Sequence, residues 1–446
     1  MLAEPLPASA ALREATHRAR RLDRPVLLST TRRVGSLDPL TLFGQARERR
    51  RFLWLQPDAD EALVGLGAAQ VIAVSGEDRF ARSHQAWAEL LADAVIEDAG
   101  SPVGAPLLLG GFRFDPLRPP TGLWAGFLDD QLVLPARMLA RRRGANWLTT
   151  NRLVGGPPRP ASVGPFRPGP PASGLAPAEW QTQVRIVADG IRRGRFGLDK
   201  VVLARAQRAH VCQPVDLAAV AGRLAAGYPT CTVFAIVHGQ SCFVGATPER
   251  LVAVHAGLAS TMALAGSKPR GSTEAEDGAL AAALLADPKE RAEHAVVVMA
   301  LRERLDEVST RVMADAEPSV RRLANVQHLS THLRGALAPG RTILDVVARL
   351  HPTPAVGGYP SEAALRLIRE RERLDRGWYG GPIGWLDRQG QGEFVVGIRS
   401  ALVRGQEAVL FAGCGIVGDS EPATELAESR WKLRPMLSAL DSPLAS

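Results

Sequence analysis

Two pairs of glutamates with the same spacing carry the strongest chemical signal in this chain. Glu290 and Glu293 stand three residues apart in one predicted helix, and Glu425 and Glu428 three apart in another. An i, i+3 spacing puts both carboxylates of a pair on one helix face. Taken alone, each pair reads as a solvated surface feature. If the two faces converge, four carboxylates meet, and they do so at low cost only around a hard cation. Mg²⁺ is the natural choice, because it takes few protein oxygens and keeps positions open for water and substrate.

The basic residues are strongly biased. Of 54, only Lys200, Lys268, Lys289 and Lys432 are lysine. Arginine keeps its proton in a protein, whereas a desolvated lysine can lose it. Lys200 opens an apolar run to Arg205 that predicts a strand. Its amine is a candidate general base, or else a solvated surface group. Lys432 follows Glu428 by four residues, so Glu425, Glu428 and Lys432 share a helical stripe. That stripe is either a surface ion pair or a place where an anionic substrate bridges a metal and an ammonium. Glu249 lies in a turn, Gly245 to Leu251. It could donate a proton opposite Lys200, or simply pair with Arg250. The glycine-rich stretch Phe411 to Gly418 leads into the second glutamate helix, and glycines there let backbone N–H groups approach an anion.

These groups need a scaffold. Residues 155–174 are dominated by Gly and Pro and exclude regular structure. They divide an N-terminal portion, 1–154, from a C-terminal portion, 175–440. In the first, Leu107–Phe114 and Leu132–Leu134 predict strands and His84–Ile96 a helix. In the second, a helix begins at Pro177 with Trp180, Val184, Val187 and Ile191 on one face. The Lys200 strand follows. Further strands are predicted at Thr232–Val237, Cys242–Val244, Leu251–Val254, Val395–Ile398 and Val409–Phe411. Two helices are expected within 274–310, and a last one from Pro422 to Arg434. No regular βαβ rhythm appears, so the fold class is α+β, a large mostly antiparallel sheet system flanked by helices.

Composition narrows the function. A hydrophobic fraction of 46% with 22% charged residues suits a soluble enzyme. No apolar run approaches the roughly 18 residues needed to span a membrane. The first 25 residues lack the apolar stretch of a secretory signal. A cytoplasmic location is expected. The net charge of +8 permits nucleic-acid binding. The arginine clusters are short, scattered and free of interleaved aromatics, which reads as solvated faces. Cys212, Cys231, Cys242 and Cys414 form no metal-binding spacing and read as small buried side chains.

Several segments together resemble the chorismate-binding enzymes, which include isochorismate, salicylate, anthranilate and aminodeoxychorismate synthases. They are Lys200–Arg205 (KVVLAR), Gly245–Leu251 (GATPERL), Ala263–Gly271 (ALAGSKPRG), Lys289–His294 (KERAEH), His328–Leu329, His351–Gly357 (HPTPAVG), Gly377–Trp385 (GWYGGPIGW), Gly397–Ala401 (GIRSA) and Phe411–Lys432. They occur in family order over about 200–435. Lys200 and the His351–Ala355 segment resemble the isochorismate branch. The absence of a fused glutamine amidotransferase agrees with it.

The resemblance implies an Mg²⁺-dependent isomerisation of chorismate to isochorismate. Lys200 would activate water for attack at C2, and Glu249 would protonate the departing C4 hydroxyl. Glu293 and Glu428 would ligate Mg²⁺ directly, with Glu290 and Glu425 acting through water. Arg399 and Tyr379 would hold the enolpyruvyl carboxylate. Lys432 and backbone N–H groups near Gly415 would meet the ring carboxylate. His328 and Thr353 would line the pocket, and Ala355 would shape its wall. A monomer with no amidotransferase partner is expected, serving a menaquinone or siderophore route. Salicylate synthase and an aminating enzyme of the anthranilate type are the alternatives.

Overall fold

The structure, a computed structural model, describes residues 10–98, 100–101, 104–127, 130–155, 175–322 and 326–441. The Gly/Pro-rich segment expected to connect the two portions lies outside the described residues from 156 to 174.

Two sheets of twelve and ten strands form the body. In the first, the order runs from Lys200–His210 through Glu407–Ile416, Ser400–Arg404, Ser241–Thr247 and Thr232–His238, then crosses to Arg50–Gln56 and further strands of the N-terminal portion. In the second, Val326–Leu337, Leu258–Pro269, Arg250–His255, Gly392–Val396 and Pro382–Leu386 continue into Leu108–Gly111. The seams are antiparallel pairs, Phe234 with Trp54 in one sheet and Gly384 with Gly110 in the other. Both sheets therefore run through both portions. Among the described residues, Val26–Val34 with Val95–Asp98 is the one parallel pair. The architecture is the expected α+β, antiparallel and helix-flanked.

Inner strands such as Thr232–His238 and Ser241–Thr247 are buried at every residue. Sheets covered on both faces require such unbroken apolar runs. Between the sheets lies an aromatic layer that includes Phe52, Trp54, Trp124, Phe234, Phe243, Trp378 and Phe411. Trp124 stacks on Phe411 with ring centroids 5.6 Å apart. Each such side chain contributes roughly 1.5–3 kcal/mol through burial.

The helices lie outside. Pro177–Arg192 buries Trp180, Val184 and Val187, one face of a 3.6-residue period. Pro288–Asp306 packs on Leu258–Pro269 and Val326–Leu337. Its start is capped by Asp287, which accepts from the backbone N–H groups of Lys289 and Glu290. Pro422–Ala439 packs on Glu407–Ile416 and begins with proline in its first turn. The two glutamate pairs thus ride on two helices laid against adjoining sheets. The expected helix at His84–Ile96 is instead Arg79–Leu91, followed by a short strand, Val95–Asp98.

Candidate active site

Lys200 begins its strand, one residue ahead of the fully buried run Val201–Arg205. Its side chain lies across Gly415, where a Cβ would meet Lys200 Cε at 2.6 Å and Nζ at 3.3 Å. The two positions are brought together by the antiparallel pairing of Val202 with Gly415. Burial pushes the amine pKa below its usual value, and the Lys432 ammonium pushes it further. Glu293, Glu249 and Glu428 oppose this. Charges from three separate elements therefore act on one amine.

Glu249 sits where the chain leaves the first sheet, after Thr247, and enters the second at Arg250. Its backbone is pinned on both sides. Its N–H donates to Thr247 Oγ1 at 3.2 Å, and its carbonyl accepts from Val396 N at 3.0 Å. Burial raises the carboxyl pKa above the usual value, opposed by Arg399, by a hydrogen bond from Thr353 Oγ1 (3.4 Å) and by Lys200. One group is pushed toward the neutral amine and the other toward the protonated acid. That is the division of labour general base and general acid require.

Arg399 occupies the return crossing, between Gly392–Val396 and Ser400–Arg404. Its backbone is left-handed, with φ of 50°. For a non-glycine residue this costs roughly 1–2 kcal/mol. Its carbonyl accepts from Ala246 N at 3.2 Å, so the two sheet crossings are bonded side by side. The guanidinium acts on Glu249, His328 and Tyr379.

The second glutamate pair forms a compact group. Ligand atoms of Cys414, Glu425 and Glu428 lie within 4.8 Å of one another. Glu425 Oε1 accepts from Ser420 Oγ at 2.8 Å, while Oε2 is buried without a partner. Burial and then Glu428 raise its pKa, against that hydrogen bond. Lys432 Nζ donates to Glu428 Oε1 and, at 2.9 Å, to Gly413 O. An orphaned buried carboxylate oxygen beside a second carboxylate fits a hard divalent cation. The Cys414 thiol, pushed up to about 12 mainly by burial, does not suit one. Glu290 and Glu293 do not join this group. Glu290 Oε2 accepts from Ser267 N at 2.9 Å, and Glu293 is exposed, though its charge reaches Lys200.

The other expected residues fall around the same space. His328 Nδ1 meets Ser267 Oγ at 2.7 Å, and burial lowers its pKa. Tyr379 is buried against Phe411, with ring centroids 5.2 Å apart, and a Cβ on Gly413 would meet its hydroxyl at 3.1 Å. Thr353 reaches Glu249. Ala355 is exposed two residues further along that turn.

One pair escaped sequence reading. Glu372 and Arg376 form a buried ion pair. Glu372 Oε2 accepts from Ala204 N at 2.8 Å, Arg376 Nη2 donates to Val202 O at 2.7 Å, and Nη1 to Val356 O at 2.8 Å. The pair bolts the Lys200 strand to the turn bearing Thr353. Its i, i+4 spacing lies in an arginine-rich stretch, and nothing local in the sequence marks it as buried.

Comparison with known proteins places the sequence and the fold in one family. The family model described as chorismate binding enzyme matches residues 11–162 and 170–441. The salicylate biosynthesis isochorismate synthase of Pseudomonas aeruginosa is 41% identical, over 96% of this chain and 93% of that protein. The isochorismate synthase MenF of Bacillus subtilis is 36% identical, over 96% of each. The solved structure of MenF, the menaquinone-specific isochorismate synthase from Escherichia coli, superposes with a TM-score of 0.75 at 26% identity, covering 96% of this chain and all of that one. By sequence and by fold, the chain belongs to the family of chorismate-binding enzymes.

Proposed function

We propose that this protein is an isochorismate synthase, an isomerase that converts chorismate to isochorismate. The observation that carries the reading is that Lys200 and Glu249, both buried at one site, feel each other's charge while burial lowers the amine pKa and raises the carboxyl pKa, with Glu249 at the crossing between the two sheets. Lys200 takes a proton from water, and the water oxygen bonds to C2. The ring double bonds shift, the C4–oxygen bond breaks, and Glu249 gives the departing hydroxyl its proton. One water enters and one leaves. The proton gained by Lys200 offsets the one lost by Glu249. Amine-using relatives need no such base, so Lys200 favours hydroxyl over ammonia chemistry.

Glu428 and Glu293 would hold Mg²⁺ directly, with Glu425 and Glu290 through water. The bare Oε2 of Glu425 supports this, and Glu293 would have to approach Glu428. The bound ion would supply a positive charge for the ring carboxylate. Arg399 and Tyr379 would bind the enolpyruvyl carboxylate, Lys432 and the backbone near Gly415 the ring carboxylate, and His328, Thr353 and Ala355 the pocket wall. The protein would act as a cytoplasmic monomer without an amidotransferase, feeding menaquinone or siderophore synthesis. Among the described residues no helix is long and apolar enough to cross a membrane.

Chromatography of products from chorismate and Mg²⁺ tests the assignment. Isochorismate as the sole product is expected. Salicylate with pyruvate would make the enzyme a lyase, and anthranilate formed with ammonia would make it an aminating synthase.

A further inference from the structure

Several arginines around the outer strands of the second sheet are matched by acids. Arg270 and Arg322 hold Asp277, Arg291 holds Glu317 and Arg334 holds Asp315. Arg321 is different. Among the described residues it has no ion pair, and its Nη1 meets the thioether of Met262 at 3.5 Å. A thioether is a weak acceptor. Yet the side chain is half-buried, and burial lowers its pKa. A guanidinium taken partly out of water without a carboxylate carries a cost.

The place of Arg321 in the sheet gives that cost a use. On the outer strand Ser319–Arg322 it pairs directly with His328, and His328 pairs with Ser267 on the next strand. Directly opposite residues stand on one face. Arg321 is therefore the outward neighbour of an imidazole that, lowered chiefly by burial, also feels Lys432, Arg399 and Lys200. The first sheet gives an independent observation. Cys231 precedes Thr232, which pairs with Thr247, two residues before Glu249. Burial raises the Cys231 thiol pKa, while Arg399 and Arg321 both pull it down. Two guanidiniums thus act on one buried thiol, Arg399 from the reaction centre and Arg321 from the outer strand. Exposed Arg250, next to Glu249 in the chain, lowers the Arg321 pKa further. Arg250 acts in turn on Glu393, a carboxyl that burial raises to about 7 and that already accepts from Gln56 Nε2 at 2.7 Å. No described carboxylate acts on Arg321.

We infer that Arg321 is a capture residue for the substrate: beside Arg250 it takes a carboxylate of the incoming chorismate dianion, before that carboxylate passes to Arg399. The inference rests on the proposed reaction and adds a step that the final seats of the two carboxylates do not require. A cation held half out of water with no acid to quench it projects a stronger field than a solvated one. Arg321 stands one strand outside the reacting groups, so it acts on binding and not on the bonds that form and break.

Steady-state kinetics with chorismate and Mg²⁺ over a range of ionic strength test it, on the native protein, Arg321→Gln and Arg321→Lys. Arg321→Gln is expected to raise KM about 5-fold at low salt, with kcat within about twofold of native. The gap should narrow as salt rises, because counterions screen a charge open to water. Arg321→Lys should recover most of the affinity, since lysine supplies the charge. A KM for Arg321→Gln equal to that of the native protein overturns the inference. So does a fall in kcat alone, and so does a loss that salt leaves constant and lysine does not repair, which marks a structural role. Should Arg321→Gln fail to fold, Arg250→Gln decides: its KM should rise in the same salt-dependent way, and an unchanged KM rejects the capture role. Native protein that leaves chorismate untouched rejects the proposed function, and the inference falls with it. Failure of the variants alone rejects only the capture role.

Discussion

Lys200 and Gly415 occupy space that only a glycine leaves free. A methyl group at 415 would stand 2.6 Å from Lys200 Cε. The glycine-rich stretch thus serves the proposed base as well as any bound anion. Gly415→Ala is expected to move the amine by about 1 Å, lowering kcat about 100-fold with Tm nearly unchanged. Steady-state kinetics and a melting curve check this. An unaltered kcat would remove Gly415 from any part in placing Lys200.

With four lysines in the chain, the amine can be watched directly. In protein labelled at lysine Cε, one NMR signal should titrate well below the usual lysine value of about 10.4 and vanish in Lys200→Arg. The same substitution should cut turnover by about 100-fold or more, because arginine cannot release a proton. The Lys432 ammonium holds the Lys200 pKa down. Its removal in Lys432→Met should therefore shift the Lys200 titration to higher pH. Four signals titrating together would end the case for Lys200 as base.

Glu249 gives a stability test independent of turnover. Its folded pKa lies above the unfolded carboxylate value of about 4.3. Stability from the protonated carboxyl is therefore fully present below that value and lost as pH rises toward the folded pKa. Glu249→Gln escapes this loss. Its Tm relative to the native protein should climb from pH 4 to 8, while turnover is nearly abolished. A constant difference in Tm across that range would contradict an elevated Glu249.

Metal binding can be measured without chemistry. Glu425→Gln removes charge at the buried, unpartnered Oε2. Calorimetric titration with Mg²⁺ should show affinity weakened about 10–100-fold, the usual cost of disturbing a group that orients metal ligands. Identical isotherms for variant and native protein would take Glu425 out of the metal site.

How far the sequence discloses this molecule depends on range. The Pro177 helix was legible because Trp180, Val184 and Val187 repeat locally. The strand at Lys200 was legible through Arg205, where burial is continuous, and not through His210, where polar residues alternate out of the core. The helix misplaced at His84–Ile96 shows how weakly propensity fixes a boundary. Pairing between Arg50–Gln56 and Thr232–His238 joins residues some 180 positions apart, and no local pattern encodes it. Within the site, Lys200, Glu249 and the second glutamate pair could be named from type and spacing. The lean of Lys200 on Gly415 and the Glu372–Arg376 bolt could not, because both depend on strands meeting in space. Spacing placed each glutamate pair on one helix face, and the convergence of all four was what the family resemblance implied. Only Glu425 and Glu428 form a close group here.

The shared sheets carry a consequence for dissection of the chain. Because Thr232–His238 hydrogen-bonds to Arg50–Gln56, and Pro382–Leu386 to Leu108–Gly111, a fragment beginning at 175 would present two raw strand edges to solvent. Such edges recruit other chains. The reactive half cannot be carved out as an autonomous unit. It needs the first third of the polypeptide as the missing half of each sheet.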